Sequence, residues 1–448
     1  MMSAPLGEAE LLHGTIKTCD LFHSFNDQKE IAVAVSGGSD SLALLLMLAD
    51  WANEHGKQIH CLTVDHGLRA ASADEAATVG KHCADLGIAH DVLTWDGNKP
   101  TTGLSEAARE ARYELMAARC LELGICDLVL GHQRDDQAET LLMRLSRSDQ
   151  GGRGLAGMPS KTEYWTEAGR KIALHRPLLD LSRLDLQAFL SARAVKWVSD
   201  PTNDNETYER VRVRSDLKHN EMFREKLVSY AKISARYRAA MSSNAAQFIA
   251  AHVAPIRFGA LSIDKAALDV LPEPVAVLAL QALLSVVGGR DYLPSVLDVQ
   301  RVLECIGGQT LARVRIQVVG ERVYLTREMR NLPNAEKLTG MSVVWDKRFL
   351  IQMSLPNVEL VSGSDLDADV AREFVEGLQV PLSKVESIAL QSSPFFVIGE
   401  QDEIKSALYL KDSDAKTVSA RPLFGGFQRF CGAFDLPLRR ALEHLLTK

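Results

Sequence analysis

The first half of the chain alternates short apolar runs with longer amphipathic stretches. Residues 31–35 are apolar and rich in valine, which is typical of a strand that is buried on both faces of a parallel sheet. The run stops at Ser36-Gly37-Gly38, and an apolar stretch of helical character follows at 42–48. Further strands are predicted at 58–64, 88–95, 128–130 and 171–179, and further helices at 72–86, 104–123, near Asp135 and at 182–192. This alternation predicts an α/β domain with a parallel sheet.

The pattern changes near residue 216, where charged helical segments begin. The predicted elements are helices at 227–252 and twice within 273–307, a hairpin at 312–327 that turns at Gly320-Glu321, and strands at 341–345, 349–353, 358–361 and 395–398. A polar stretch with a proline at 331–337 indicates a linker. We therefore expect three domains, namely a catalytic domain at 1–215, a mainly helical domain with a hairpin at 216–330, and a small β-rich domain at 338–448 that contacts RNA.

Composition narrows the class of protein. No apolar run in the 448 residues approaches the ~18 that a membrane span needs, and no basic-then-apolar signal segment opens the chain. We therefore expect a cytoplasmic protein without a membrane partner. A net charge of −7 argues against a uniformly basic nucleic-acid coat, so a nucleic-acid partner would have to meet local basic patches. Seven scattered cysteines without a Cys-x-x-Cys pair predict reduced thiols and no zinc site.

The junction at 36–41 carries the first candidate chemistry. Its glycines let backbone N–H groups approach an anion, the following helix adds its N-terminal donors, and three serines add hydroxyls. Asp40 would repel a phosphate unless a metal ion lay between them, so the loop implies Mg²⁺. No Gly-Lys-Ser/Thr follows the glycines, which excludes a Walker loop. The alternative is an ordinary turn with an Asp/Ser cap.

A second candidate site follows the strand predicted at 128–130. Asp136 and Glu139 are three residues apart and project from one face of the next helix. At the carboxyl end of a parallel strand they can face the phosphate loop, where two carboxylates could hold an ammonium group or Mg²⁺. The alternative is that they only complement the helix dipole. His66 is equally open between a ligand pocket and a capping or solvated position.

These motifs resemble known families. The 36–41 loop resembles the Ser-Gly-Gly-x-Asp-Ser loop of the PP-loop ATP pyrophosphatases, which implies an adenine nucleotide alpha-hydrolase-like, Rossmann-like domain. The segment 131–140, Gly-His-Gln-Arg-Asp-Asp-Gln-Ala-Glu-Thr, resembles the Gly-His-His-x-Asp-Asp-Gln-x-Glu-Thr motif of the tRNA(Ile)-lysidine synthetases. Gln133 replaces a histidine of that pattern, and Val211 replaces an asparagine. Other matching positions are 64–69, 106–113, 153–158, Asp200, Thr202, Asn203, Arg210 and Arg214.

The resemblance implies roles for individual residues. Ser36, Gly37, Gly38, Ser39, Asp40 and Ser41 would bind ATP, with Asp40 also holding Mg²⁺. The implied catalytic residues are Asp40, Arg112, His132, Asp136 and Glu139; the implied lysine-binding residues are Asp136, Glu139 and Arg210; the implied tRNA-binding residues are Arg147, Arg153 and Arg214. Arg112, with Arg109 in reserve, would neutralise phosphate charge that grows in the transition state. His132, Asp136 and Glu139 are alternative proton acceptors.

The implied reaction joins L-lysine to C2 of the wobble cytidine in tRNA(Ile) with a CAU anticodon, through an adenylated cytidine. ATP and Mg²⁺ are the implied cofactors, and a homodimer is compatible with the resemblance. The basic, glycine-rich segment 144–157 is expected to be a mobile loop that closes over nucleotide and RNA. One rival is another PP-loop enzyme that modifies tRNA, such as a sulfur transferase, although those generally use paired cysteines. The other is a tRNA-binding module without catalysis.

Overall fold

The computed structural model describes residues 18–67, 72–96, 99–146, 152–166, 169–198, 209–218, 220–338, 342–353, 358–378, 381–398, 403–406, 418–424, 427 and 430–447. The chain divides into two compact units, 1–237 with 429–433, and 238–428 with 434–448. The division into three domains stays a prediction. Over the described ranges, no helix is both long enough and apolar enough to cross a membrane.

The elements follow one another in chain order. Those up to residue 252 are α1 (Thr18–Phe22), β1 (Glu30–Ala34), α2 (Ser39–His55), β2 (Gln58–Asp65), α3 (Ser72–Asp85), β3 (Ala89–Thr94), α4 (Leu104–Leu123), β4 (Asp127–Leu130), α5 (Arg134–Ser146), β5 (Lys161–Trp165), β6 (Lys171–His175), α6 (Arg183–Ala192), α7 (Glu209–Leu217) and α8 (Glu221–His252). Those that follow are β7 (Val253–Ile256), β8 (Ala260–Asp264), α9 (Lys265–Asp269), α10 (Glu273–Val287), α11 (Val296–Glu304), β9 (Thr310–Leu311), β10 (Val314–Val319), β11 (Arg322–Arg327), β12 (Glu336–Leu338), β13 (Ser342–Trp345), β14 (Phe349–Met353), β15 (Val358–Ser362), α12 (Ala368–Gly377), α13 (Lys384–Gln391), β16 (Pro394–Ile398), β17 (Glu403–Ser406), β18 (Val418–Pro422), β19 (Phe430–Gly432) and α14 (Leu436–Leu446).

The first unit is built on a seven-stranded sheet in the order β19-β5-β6-β4-β1-β2-β3. The five strands from β6 to β3 pair in parallel, and β5 and β19 add an antiparallel edge. The chain steps from β1 to β2 on one side of β1 and returns at β4 on the other side. The sheet therefore has its topological switch point between β1 and β4, where open α/β sheets bind ligands at the carboxyl ends of the strands.

The sheet has an apolar core on each face, as the alternation of side chains along a strand requires. On β1, Ile31 and Val33 face a cluster that includes Trp51 of α2, while Ala32 faces a cluster that includes Met116 of α4. Most side chains of α2 are buried, which agrees with its nearly unbroken apolar sequence. The predicted parallel α/β domain is confirmed.

The second unit carries three antiparallel sheets in the orders β7-β8-β11-β10-β9, β12-β15-β16-β17 and β13-β14-β18. The predicted hairpin is confirmed: β10 pairs with β11, Val319 lies opposite Arg322, and Gly320 in the turn has a φ of 58°. The two predicted helices within 273–307 are α10 and α11. The four predicted C-terminal strands correspond to β13, β14, β15 and β16.

The second unit also buries one carboxylate among three arginines. Asp346, Arg313, Arg327 and Arg348, here called the Asp346 cluster, are joined by ion pairs from 2.5 to 2.9 Å. Gly289 packs against this turn so closely that a Cβ atom there would lie 2.2 Å from the Asp346 carbonyl oxygen.

Candidate active site

The phosphate loop follows β1 at the switch point. Gly37 has a φ of 84°, which favours glycine, and Gly38 is the N-cap of α2. Ser41 Oγ accepts the Ser36 N–H at 3.1 Å and donates to the Gly38 carbonyl at 3.1 Å, so the loop is closed on itself. Because the N-cap has no side chain, the first N–H groups of α2 are left to bind an anion.

The loop after β4 touches the phosphate loop through Gly131. A Cβ atom at Gly131 would lie 3.1 Å from Ser41 Cα and 3.2 Å from Ser41 N. The structure gives a specific reason for a glycine at this position. Two backbones approach each other there, and a side chain would separate them.

Asp40 is the carboxylate of the phosphate loop. Its Oδ1 accepts the Ser39 hydroxyl at 2.8 Å, and its Oδ2 lies 3.5 Å from Arg183 Nε. Among the described residues, no group of three His, Cys, Asp or Glu side chains is placed to hold a metal ion. Mg²⁺ is usually held by one or two carboxylates together with substrate phosphates. Asp40 therefore fits a Mg²⁺ that is bound together with a nucleotide.

Asp136 and Glu139 are buried in the first turns of α5. Gln133 precedes this helix and is fully buried. The side-chain Oε1 of Gln133 accepts the backbone N–H of Asp135 at 2.5 Å, and the backbone N–H of Gln133 donates to Asp136 Oδ2 at 3.0 Å. The residue that departs from the family pattern therefore caps α5 and orients Asp136.

Three arginines surround this acidic pair, and we call these five residues the Asp136 cluster. Arg210 donates from Nη2 to Asp136 Oδ1 and from Nε to Glu139 Oε2, both at 2.7 Å. Arg214 donates from Nε to Glu139 Oε1 at 2.8 Å. Nη2 of Arg183 lies farther away, 3.8 Å from Asp136 Oδ1 and 4.0 Å from Glu139 Oε1.

The two carboxyl groups have different acidities. Burial raises the pKa of Asp136, and the Arg210 guanidinium only partly opposes it. Burial also acts on Glu139, but Arg214 and Arg210 outweigh it and lower the pKa of that carboxyl. When one site pushes two acidic pKa values apart, the group with the raised pKa is the better proton acceptor of the pair.

A second group of cations surrounds Tyr113 and His132. The guanidinium carbons of Arg109 and Arg112 lie 5.0 Å and 5.3 Å from the Tyr113 ring centre. Buried Arg176, directly after β6, donates to Thr162 Oγ1 at 2.9 Å. Burial, Arg176 and Arg112 lower the pKa of His132 well below its usual value, so its imidazole is neutral at pH 7.

Buried nitrogens of this group lack partners. Within the described ranges, Arg112 Nε, His132 Nδ1 and Arg176 Nε make no hydrogen bond. Buried polar groups are nearly always paired in native proteins, so these orphans indicate a polar ligand. The role of Arg112 as the phosphate partner stays a prediction.

His66 lies near the same cations. It is half-buried after β2, with its ring edge-on to Trp95 at 6.0 Å. Burial and Arg112 lower the pKa of His66. Of the two readings that the sequence leaves open, this placement favours the pocket.

The predicted RNA contacts are only partly covered. Arg147, Asp200, Thr202 and Asn203 lie outside the described residues, as does the side chain of Arg153. Arg214 lies on Glu139. The described end of the basic segment 144–157 is attached to α5, because Arg144 of that helix donates to the carbonyl oxygens of Gly154 and Gly157 at 2.7 and 3.0 Å. Loop closure stays a prediction.

Sequence reasoning missed Arg183 and Arg176. Arg183 is the first residue of α6, where Ser182 and Asp185 form a capping box, and its backbone N–H donates to Asp135 Oδ2 at 3.1 Å. The Ser-x-x-Asp pattern at 182–185 predicts where the helix begins. It does not predict that the side chain of Arg183 points to the carboxylates of Asp136 and Glu139. Arg176 directly follows β6, and open α/β sheets bind ligands at the carboxyl ends of their strands. Its place after a predicted strand could therefore have marked Arg176 as a candidate site residue.

The glycine turn at the switch point, the helix N-terminus and the facing carboxylates define an ATP-utilising α/β domain of the PP-loop class. The family model described as a PP-loop domain matches residues 12–221. Among solved structures, the chain is similar to the U34-tRNA thiolase NcsA from Methanococcus maripaludis. The two are 16% identical with a TM-score of 0.41, over 50% of this chain and 80% of that one. So weak a likeness says nothing about substrate.

Curated relatives narrow the class further. A tRNA(Ile)-lysidine synthase from Mesorhizobium japonicum is 36% identical, over 95% of this chain and 94% of its own length. A second one, from Rhizobium meliloti, is 37% identical over 83% and 84%. The chain belongs to the tRNA(Ile)-lysidine synthase family.

Proposed function

We propose that the protein is an ATP-dependent ligase that joins L-lysine to C2 of the wobble cytidine of tRNA(Ile) with a CAU anticodon. One observation carries the proposal: a buried pair of carboxylates, Asp136 and Glu139, lies beside the phosphate loop and shares Arg183 with Asp40. A nucleotide-binding loop and a site for an ammonium group are therefore neighbours, as a reaction between an activated base and an amine requires.

In the first step, the C2 carbonyl oxygen of cytidine attacks the α-phosphorus of ATP, and pyrophosphate leaves. Residues 36–41 bind the phosphates through backbone N–H groups and hydroxyls. Bound at Asp40, Mg²⁺ would neutralise phosphate charge. Arg112 neutralises the charge that develops on the transferred phosphoryl group. The step is needed because an oxygen of a carbonyl leaves poorly, whereas AMP leaves well.

In the second step, the ε-amine of lysine attacks C2, AMP leaves, and the amine gives up a proton. Asp136, Glu139 and Arg210 form the lysine site, in which the two carboxylates bind the ammonium group. We assign the proton to Asp136, because its raised pKa makes it a stronger base than Glu139. His132 is the alternative acceptor; burial and its arginine neighbours lower the pKa of its imidazole.

The RNA side of the proposal rests on basic residues that the family resemblance implies. Arg147 and Arg153 are proposed contacts to tRNA. Arg214 was predicted as a third, but its bond to Glu139 supports a role in holding that carboxylate. A cytoplasmic location and a homodimer complete the proposal.

Label transfer tests the proposal directly. The purified chain is incubated with CAU tRNA(Ile), ATP, Mg²⁺ and radiolabelled lysine, and alkali then removes any ester. We expect stable label on the RNA that depends on ATP, and none on a control tRNA whose wobble position is uridine. Hydrolysis of ATP to AMP and pyrophosphate without label would contradict lysine ligation and point to another PP-loop reaction.

A further inference from the structure

Arg183 makes unusually loose contacts for a buried-site arginine. Its guanidinium makes a single hydrogen bond within the described part of the chain, at 3.5 Å to Asp40. The neighbouring Arg210 makes two bonds of 2.7 Å to the same acidic pair. The backbone of Arg183 is nevertheless held firmly, by the capping box at Ser182 and by Asp135. The side chain of Arg183 can therefore change rotamer while its backbone stays in place.

The position of Arg183 Nη2 coincides with a place for a substrate cation. The atom stands in front of both carboxylates, at almost equal distances from Asp136 Oδ1 and Glu139 Oε1. Those two oxygens each hold one short arginine bond already, so this shared side is where a further cation can bind both. An ammonium group at that place would meet the guanidinium, and like charges repel.

Asp40 offers the Arg183 guanidinium a second contact, on the side of the phosphate loop. Nε already lies on the phosphate-loop side, at the first turn of α2. Bound triphosphate would bring several oxygens to that turn, and a guanidinium forms strong paired bonds with phosphate oxygens. A nucleotide therefore draws Arg183 away from the acidic pair, whereas without a nucleotide Arg183 stays there as a counter-charge.

We propose that Arg183 is a positioning residue that occupies the ammonium site until ATP binds, and so couples ATP binding to lysine binding. This inference rests on the proposed function, because it names lysine as the amine. Coupling of this kind is reciprocal: nucleotide must tighten lysine by the same factor by which lysine tightens nucleotide.

The coupling is measured by calorimetric titration of full-length protein that is saturated with CAU tRNA. L-lysine is titrated with and without a non-cleavable α,β-methylene analogue of ATP, at constant Mg²⁺. We expect the analogue to tighten lysine about tenfold in the natural protein. In Arg183→Gln we expect no effect of the analogue. We also expect lysine alone to bind more tightly than in the natural protein, because no guanidinium competes for the carboxylates.

The sign of the last effect separates this role from a purely structural one, since a damaged site would bind lysine more weakly. Arg193→Gln is the matched control: it removes an arginine that follows the same helix and pairs with Asp50, and it should keep the tenfold coupling. Arg183→Lys should keep part of it.

Three results overturn the inference: no coupling in the natural protein, coupling that survives in Arg183→Gln, or weaker binding of lysine alone to that variant. In each case, label transfer from lysine to tRNA by the natural protein would leave the proposed function standing. Failure of that transfer would instead overturn the proposed function, whatever the titrations show.

Discussion

The Asp136 cluster and the Asp346 cluster each contain three arginines around carboxylates, but their side chains differ in exposure to solvent. In the Asp346 cluster, the side chains of Asp346, Arg327 and Arg348 are at most 3% exposed. In the Asp136 cluster, the carboxylates are buried, but the side chains of Arg183, Arg210 and Arg214 are 23%, 43% and 31% exposed. The side chain of Arg313 is 25% exposed, so one arginine of the Asp346 cluster reaches the surface, whereas all three arginines of the Asp136 cluster do.

The clusters also differ in how their donors are used. In the Asp346 cluster, guanidinium groups that outnumber the single carboxylate also donate to backbone carbonyls, as Arg313 and Arg327 do to Asn331 at 3.0 and 3.3 Å. Burial lowers the pKa of Arg348 to about 10, which still leaves it charged at pH 7. Beside the Asp136 cluster, Gln133 Nε2 and His132 Nδ1 have no partner within the described ranges. Beside the Asp346 cluster, Trp345 Nε1 and Thr326 Oγ1 also lack a partner in the described part of the chain. Unpaired neighbours therefore do not separate the two clusters, whereas the exposure of their arginines does.

Asp136→Asn is expected to have the largest effect. The amide keeps an oxygen for the Gln133 N–H, so the fold should survive, but it can neither balance an ammonium group nor accept a proton. Lysine transfer should fall by about 10³-fold or more. Formation of pyrophosphate from ATP should persist, as quench-flow can show. Full activity in both steps would refute the assignment.

Asp346→Asn tests the other cluster. Removing the one carboxylate leaves buried guanidinium groups without a counter-charge, and the free energy of unfolding should drop by about 3–5 kcal/mol. Trp345 fluorescence in a urea titration reports on the region, because the Arg348 guanidinium lies 5.2 Å from that ring. The KM values for ATP and lysine should stay the same. A raised KM with unchanged stability would reverse the roles we give to the two clusters.

Gly131→Ala asks whether the two backbones at the switch point must touch. The new Cβ atom would press on Ser41 at 3.1 Å, which should cost about 1–3 kcal/mol and raise the KM for ATP more than that for lysine. Gly377→Ala is the control, because no described atom outside its own helix and chain neighbours lies within 4 Å of a Cβ there. Equal behaviour of the two variants would show that the contact is dispensable.

Glu386→Gln is expected to have the smallest effect on stability. It removes a single ion pair, which serves as a reference for the two clusters. One guanidinium, that of Arg257 at 2.6 Å, lowers the pKa of Glu386 to about 2. A depressed carboxyl pKa stabilises the fold above pH ~4.5, and this contribution is lost as the pH falls toward 2. The variant should therefore be less stable by about 1 kcal/mol at pH 7 and equal to the natural protein near pH 2. A constant difference across thermal melts at these pH values would exclude this linkage.

Local patterns in the sequence determined much of the fold. Three local patterns took the structure that they predict. The valine-rich run is strand β1, the apolar run is helix α2, and the alternating residues around Gly320 form the hairpin of β10 and β11. Residues 209–214, where arginine alternates with valine, are part of α7. The four-residue spacing of Arg210 and Arg214 places both on one side of this helix, where they reach Glu139. Helix α8 begins at Glu221, six residues before the predicted start, and the apolar side chains of its first turn, Met222 and Phe223, are exposed.

The sequence by itself determined the phosphate loop, the acidic pair and the class of reaction, because each depends on residues that are close together in the chain. Only the tertiary structure decided that Arg183, 143 residues from Asp40, joins the loop to the acidic pair. The structure also decided that Gln133 caps α5 and that Gly131 is needed for backbone contact. Such pairings arise when strands β1, β4 and β6 align side by side, and no local pattern encodes which loops that alignment brings together.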